Sequence, residues 1–173
     1  MFFADLQDEN GLEFFGLDIY HDFLLEARII NPKKLYLVQG KMNILPFRDN
    51  SFDIVICLNT LFNQPSISDV ELGLAEMMRV CKHSGTVIVD IRNKANPYLR
   101  LKYWLHMRKN EFPTIPYYIK EFQDIFERHG FEIVRKVPVG IPNRIMAFAF
   151  VLEASMINAN SQQANRRFAI QYE

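Results

Sequence analysis

Glycine is scarce in this chain: seven residues in 173. Loops that wrap a nucleotide usually spend several glycines on one turn, because only glycine moves freely through positive φ. A count this low leaves little for such a loop. Cysteine is scarcer still. Cys57 and Cys81 are the only two, too few for a disulfide scaffold or a cysteine zinc site, and both read as buried thiols. The longest apolar run, Ile145–Leu152, falls far short of the roughly 20 residues a spanning helix needs. An excess of either charge is also missing. Lys plus Arg is 20 and Asp plus Glu is 20, which argues against a general electrostatic grip on nucleic acid. The N-terminus, MFFADLQDEN, has no basic region and turns acidic at once, so it does not read as a secretory signal. The expected compartment is the cytoplasm.

What is present suits a packed core. Apolar residues make up 49% and charged residues 23%, a balance that excludes wholesale disorder. The apolar pattern switches between strand and helix periods. Strands are expected at Leu12–Ile19, Lys34–Gln39, Asp53–Leu58, Thr86–Ile91, Phe131–Val137 and Ile145–Glu153. Asp53–Leu58 is continuously apolar after its first residue, as a strand buried on both faces should be. Helices are expected at His21–Ile30, with Phe23, Leu24, Ala27 and Ile30 on one stripe, and from a capping box Ser68-x-x-Glu71 to about Cys81. In that second helix Leu72, Ala75, Met78 and Val80 would face inward. Two further helices cover Pro97–Lys109 and Ile119–His129, with Phe122, Ile125 and Phe126 inward and Gly130 as a left-handed cap. Ser84-Gly85 should turn the chain into Thr86–Ile91.

This alternation gives an α/β domain over residues 1–154, with a mainly parallel sheet and right-handed crossovers. Residues 155–173 form a polar tail, in which Arg167–Tyr172 could add an edge strand. The last two strands lack a helix between them and should pair antiparallel.

Three segments, in order, carry a resemblance: GLDIY (16–20), LPFRDNSFDIVIC (45–57) with its flanks GKMNI and LNTLF, and LAEMMRVCKHSGTVIVDI (74–91). YYIKEFQDIFERHGFEIV (117–134) follows as a helix, a Gly-Phe pair and a strand. Together they resemble the small-molecule branch of the class I S-adenosylmethionine-dependent methyltransferases. The resemblance implies a Rossmann-like sheet with helices on both faces and S-adenosylmethionine as cofactor. Ligands of open α/β sheets sit at the carboxyl ends of the strands. Asp18 would then take the ribose hydroxyls, with Ile19 beside it. Alternatively, Asp18 is simply an acid before the helix His21–Ile30, favoured by its dipole. The resemblance places Met42 and Asn43 against the adenine, and Leu58 and Asn59 against the methionine part.

The chain departs from that family in four places. The glycine-rich first loop has only an echo, Asp5-Leu6-Gln7-Asp8-Glu9-Asn10-Gly11. The expectation is that the first strand and its loop are missing, so that two strands lack a neighbour unless the gap closes, the tail fills it, or a second copy does. Lys41 stands where many members carry an Asp toward the adenine amino group, and a lysine accepts no hydrogen bond. His83-Ser84-Gly85 replaces Pro-Gly-Gly, and Asn63 lies near a common His. These departures predict weak cofactor binding. They also keep two rivals open: a non-catalytic remnant or interaction module, and an NAD-type enzyme, which would lack its own glycine motif.

Methyl transfer needs alignment more than a fixed catalytic group. The acceptor side should come from residues 92–118. That segment holds Arg92, Lys94, Arg100, Lys102, Arg108 and Lys109, with no acid between Ile91 and Asn110, and Tyr98, Tyr103 and Trp104 are interleaved. It could meet a small-molecule acceptor that is anionic, phosphorylated or membrane-associated. The plainer expectation is a helix with Leu101, Trp104 and Leu105 packed inward and a solvated basic face. His106 is the one histidine of that segment and the candidate base. His21, His83 and His129 show no metal-ligand spacing with it, so no metal is expected.

Overall fold

A computed structural model describes residues 12–30, 35–108, 114–140 and 145–157. The chain divides into two units, residues 1–47 and 48–173. In the first, strand β1 (Phe14–Asp18), helix α1 (His21–Ile30) and strand β2 (Leu35–Gln39) form one β–α–β crossover. β1 and β2 are parallel, with Phe14 opposite Leu35 and Asp18 opposite Gln39. Phe15 and Tyr36, adjacent across the ladder, stack with centroids 4.8 Å apart. Of the expected stripe on α1, Leu24 is buried, Phe23 exposed and Ala27 half-buried, while the burial of Ile30 lies outside what is described. A two-stranded sheet offers the helix little apolar surface to cover.

The second unit contains β3 (Phe52–Cys57), a single 3-10 turn (Leu61–Asn63), α2 (Ile67–Val80), β4 (Cys81–Arg92), α3 (Pro97–Met107), α4 (Ile119–Arg128), β5 (Phe131–Val139) and β6 (Ala149–Met156). Its four strands run in the order β3-β4-β6-β5. β3 and β4 are parallel. β6 is antiparallel to both β4 and β5, as the missing helix between the last two strands requires. Val87, Val89, Ile91, Leu152 and Ala154 are fully buried, and Phe122, Ile125 and Phe126 of α4 and Leu74 of α2 pack into the same core.

The four parallel strands thus fall into two pairs, each parallel as expected. Among the described residues β1 pairs only with β2, and β3 only with β4. This leaves β3 at an edge, where Ile54 is 58% exposed. The strand is therefore not buried on both faces. Residues 1–11 and 158–173, with the glycine-loop echo and the Arg167–Tyr172 segment, lie outside the described residues.

Several boundaries differ from expectation. α2 starts earlier than the Ser68 box. Ser66 is the cap, accepting the Asp69 N–H at 3.2 Å while its hydroxyl donates to Asp69 Oδ2 at 2.6 Å. Glu71 instead reaches Arg128 of α4 at 2.6 Å. The inward face of α2 is Val70, Gly73, Leu74, Met77, Met78 and Val80, and Leu72 is exposed. β4 begins at Cys81, not Thr86. The expected turn at Ser84-Gly85 is a bulge within the strand, since Phe52 faces Cys81 while Ile54 already faces Thr86. Gly85 has no room for a side chain: a Cβ would sit 2.7 Å from Asp53 O and from Cys81 Sγ. β6 extends to Met156, two residues into the expected tail. Gly130, at φ 78°, is the left-handed cap the sequence implies.

The segments at 45–57 and 74–91 are clasped together. Arg79 pairs with Asp49 at 2.6 Å and with Glu76 at 2.7 Å. Behind that ion pair, Asn50 N–H donates to Arg79 O at 3.0 Å and Ser51 N–H to Val80 O at 2.8 Å. The backbone bonds fix the join; the exposed ion pair adds little, about 0–1 kcal/mol.

Burial raises the thiols of Cys57 and Cys81 to about 11, with nearby Asp90 and Asp53 adding to the effect, while the Thr60 hydrogen bond opposes it at Cys57. Both should therefore resist iodoacetamide in the native chain at pH 8 and react at once in urea. The folded state holds these protons more tightly than the unfolded chain. Stability is therefore full below about pH 9 and declines as pH rises toward 11. A urea midpoint series across that range checks the sign.

Candidate functional site

The residues singled out by the sequence lie at carboxyl ends of parallel strands, in two groups. In the first unit Asp18 closes β1. Its Oδ1 accepts the Tyr20 N–H at 2.8 Å, a local turn that leads into α1. Its carbonyl accepts the Gly40 N–H at 3.0 Å, and the carbonyl of exposed Ile19 accepts Gln39 Nε2 at 3.0 Å. The ends of β1 and β2 are thus tied together, and Asp18 Oδ2 has no partner among the described residues.

Met42 and Asn43 form the turn after β2, closed by Ile44 N–H to Lys41 O at 3.2 Å. Both are half-buried. Asn43 Oδ1 is buried without a hydrogen-bond partner. Such an acceptor costs about 1–3 kcal/mol, and native structures carry few of them. Asp18, Ile19, Met42 and Asn43 are therefore gathered at one end of one parallel pair.

The second group belongs to the second unit. Leu58 and Asn59 follow β3, and Asn59 has left-handed backbone, φ 59°. Buried Asp90, near the end of β4, holds it there: Oδ1 accepts the Asn59 N–H at 2.7 Å. Arg92 donates from Nη2 to Asn59 Oδ1 at 2.6 Å and lies 3.5 Å from Asp90 Oδ2. Its guanidinium also stacks on Phe62, 4.3 Å from the ring centroid. Sequence reasoning missed Asp90, and it marked Arg92 only as one cation of the segment 92–118. The signal was available, because TVIVDIR ends an apolar strand in an acid just as LEFFGLDI does.

Two buried asparagines then direct the chain outward. Asn93 Nδ2 donates to Ile145 O at 3.1 Å and Ala147 O at 2.9 Å, while its Oδ1 accepts the Ala95 N–H. Asn96 Oδ1 caps α3, accepting the Tyr98 and Leu99 N–H groups, and its Nδ2 donates to Met146 O at 2.9 Å. α3 leaves the sheet from this point, with His106 exposed in its last turn. A cavity of about 410 Å³ opens beside Asn93 and Ala95, walled by Tyr118, Lys120, Glu121 and Asp124 at the start of α4.

The expected packing of α3 does not hold. Leu101, Trp104 and Leu105 are exposed, and the buried member is Leu99. The pattern was read with its faces exchanged: among the described side chains of the helix, Leu99 is buried and Tyr103 half-buried, on the face opposite the expected one.

Asp90→Ala should destabilise the chain by about 1.5–3 kcal/mol, the range for losing a hydrogen bond to a charged group. Asn59→Ala should cost about 1 kcal/mol from left-handed strain, while Asn59→Gly relieves that strain but gives up the side-chain bond to Arg92. Urea denaturation of the three variants checks the order.

Residues 1–89 match the model of a family described as Methyltransferase domain, more than half of the 173 residues. A demethylmenaquinone methyltransferase from Desulfitobacterium hafniense is 40% identical over 100 residues, covering 54% of this chain and 38% of that protein. The chain thus spans well under half the length of that relative. Among solved structures, a SAM-dependent methyltransferase from Methanosarcina mazei superposes with a TM-score of 0.70 at 20% identity, over 90% of this chain and 87% of the other. Magnesium protoporphyrin IX methyltransferase from Synechocystis, with bound SAH, gives 0.66 at 16% identity, over 85% and 65%. These likenesses show a Rossmann-like methyltransferase fold. The chain belongs to the Methyltransferase domain family.

Proposed function

We propose that this chain carries out S-adenosylmethionine-dependent methyl transfer to a small-molecule acceptor of the quinone class. One observation carries the reading: within the family-matched residues, Asp18, whose Oδ2 has no partner among the described residues, and Asn43 with an unpartnered Oδ1 stand at the same end of the β1–β2 pair. The name of the Desulfitobacterium relative supports the acceptor class.

The residues present fit the cofactor. Asp18 Oδ2 accepts from a ribose hydroxyl, as an acid at a strand's carboxyl end does in open α/β sheets. Asn43 Oδ1 supplies the acceptor for the adenine amino group that Lys41 cannot provide. Met42 offers an apolar thioether to the adenine, and Ile19 an apolar surface beside the ribose. In the second unit, Asp90 holds Asn59 in one conformation. The cofactor supplies a methyl on a sulfonium, transferred by in-line displacement. The protein's contribution is alignment and exclusion of water. His106, in the last turn of α3, is the group to replace in testing for a base.

Asp18→Ala should weaken S-adenosylmethionine binding by roughly 10- to 150-fold, the equivalent of about 1.5–3 kcal/mol. Titration calorimetry reads this directly, and unchanged affinity removes Asp18 from the site. Asn43→Leu should have opposite effects on two measurements. The ligand-free chain gains up to about 1 kcal/mol by losing an unpaired buried acceptor, while cofactor affinity falls. Loss of both stability and affinity would make Asn43 a structural residue. Turnover is assayed with a demethylated naphthoquinone, and acceptor-dependent release of the demethylated cofactor is the expected outcome.

A further inference from the structure

We propose that α3 is a docking helix that lies on an anionic lipid bilayer. Tyr98, Leu101, Trp104 and Leu105 are 60%, 57%, 49% and 45% exposed. At 3.6 residues per turn they form one continuous stripe, with the i, i+3, i+7 spacing of 98, 101 and 105 and Trp104 alongside. The stripe lies away from Leu99, the residue that anchors the helix to the unit. It therefore faces outward by construction and not through a gap in the packing. A helix that turns its large apolar side chains away from its own core needs another apolar phase to cover them.

Charge identifies that phase. Arg100 and Lys102 lie on opposite flanks of the stripe, and both are exposed. Arg108, at the end of the helix, stacks on Trp104 with its guanidinium 3.7 Å from the ring, so a cation sits at the same level as an indole. There is no acid between Ile91 and Asn110, although the whole chain is electrically neutral. Apolar and aromatic side chains at the centre, bordered by cations with long apolar stems, match a bilayer surface. The rings and leucines enter the acyl boundary, and the cations reach anionic headgroups. Asn96 caps the first turn and fastens it to Met146 O, so the helix is presented in a fixed orientation.

The proposal rests on the helix alone and does not depend on the methyl-transfer reading. Its test is run without cofactor, on the purified full chain, with vesicles of phosphatidylcholine and of phosphatidylcholine plus phosphatidylglycerol. Cosedimentation and the emission of Trp104, the single tryptophan, are the two readouts. The expected result is binding to the anionic vesicles, a blue shift of the emission, and release by salt. Arg100→Gln with Lys102→Gln should lower partitioning by about 30-fold, at about fivefold per basic residue near an anionic surface. Leu101→Glu with Leu105→Glu should abolish it. Lys136→Gln, an exposed cation on β5, should leave it unchanged. Circular dichroism checks that each variant folds; these side chains are exposed, and an unaltered melting curve is expected. Three outcomes overturn the proposal: no binding to anionic vesicles, equal binding to both vesicle types, or binding that the α3 variants retain. A dimer dissociated by Leu101→Glu would also overturn it, by assigning the stripe to a second copy of the chain.

Discussion

The second unit depends on β4 being hydrogen-bonded along both edges. β4 takes β3 on one side and β6 on the other, and its alternate residues Val87, Val89 and Ile91 are fully buried. A strand in that position cannot shift by one residue without exchanging its buried and outward side chains. Its register is therefore strongly fixed, and everything that leaves its carboxyl end is fixed with it. Asp90, Arg92, Asn93 and Asn96 follow in sequence. Between them they hold the loop after β3, brace the β6 entrance and cap α3. A short run at the end of one strand organises three neighbouring segments.

The segments that made the family legible in the sequence do different physical jobs. Asp49, Ser51, Glu76 and Arg79 lie in the stretches that carry the resemblance, and the structure uses them as a clasp between the loop before β3 and the end of α2. They are structural, and they identify the fold without touching chemistry. Asp18 and Asn43 carry the chemical inference, and their geometry rests on the short β1–β2 pair. Family membership and the proposed site thus rest on separate sets of side chains. A sequence can be unmistakable in the first while departing, as at Lys41, in the second.

How much could be read from sequence follows from the range of the forces involved. The helix α4, its inward Phe122, Ile125 and Phe126, and its left-handed Gly130 are set within a dozen residues, and they were legible. So was the antiparallel end of the sheet, because a loop too short for a crossover leaves one pairing. The cap of α2 was misplaced by two residues, since Ser66 and Ser68 offer the same chemistry and only tertiary packing chooses. Strand β3 was read as buried on both faces because an apolar run says nothing about what covers it, and Ile54 is exposed. The facing of α3 was inverted for a related reason: periodicity reveals that a helix has an apolar stripe, but not what that stripe meets. Asp90 went unmarked for want of applying to TVIVDIR the reasoning already used for GLDI. Asn43 was marked by resemblance, but its open acceptor appears only in coordinates.

Asn96 has one further consequence. Its carboxamide is a two-ended fastener, with the oxygen on the first turn of α3 and the amide nitrogen on Met146 O ahead of β6. Neither end can be displaced without load passing to the other. A push on the helix is thereby delivered to the strand that lies against β4, and a rearrangement around residues 145–147 would be felt as a tilt of α3. One side chain therefore sets both where α3 begins and where the chain enters the strand beside β4.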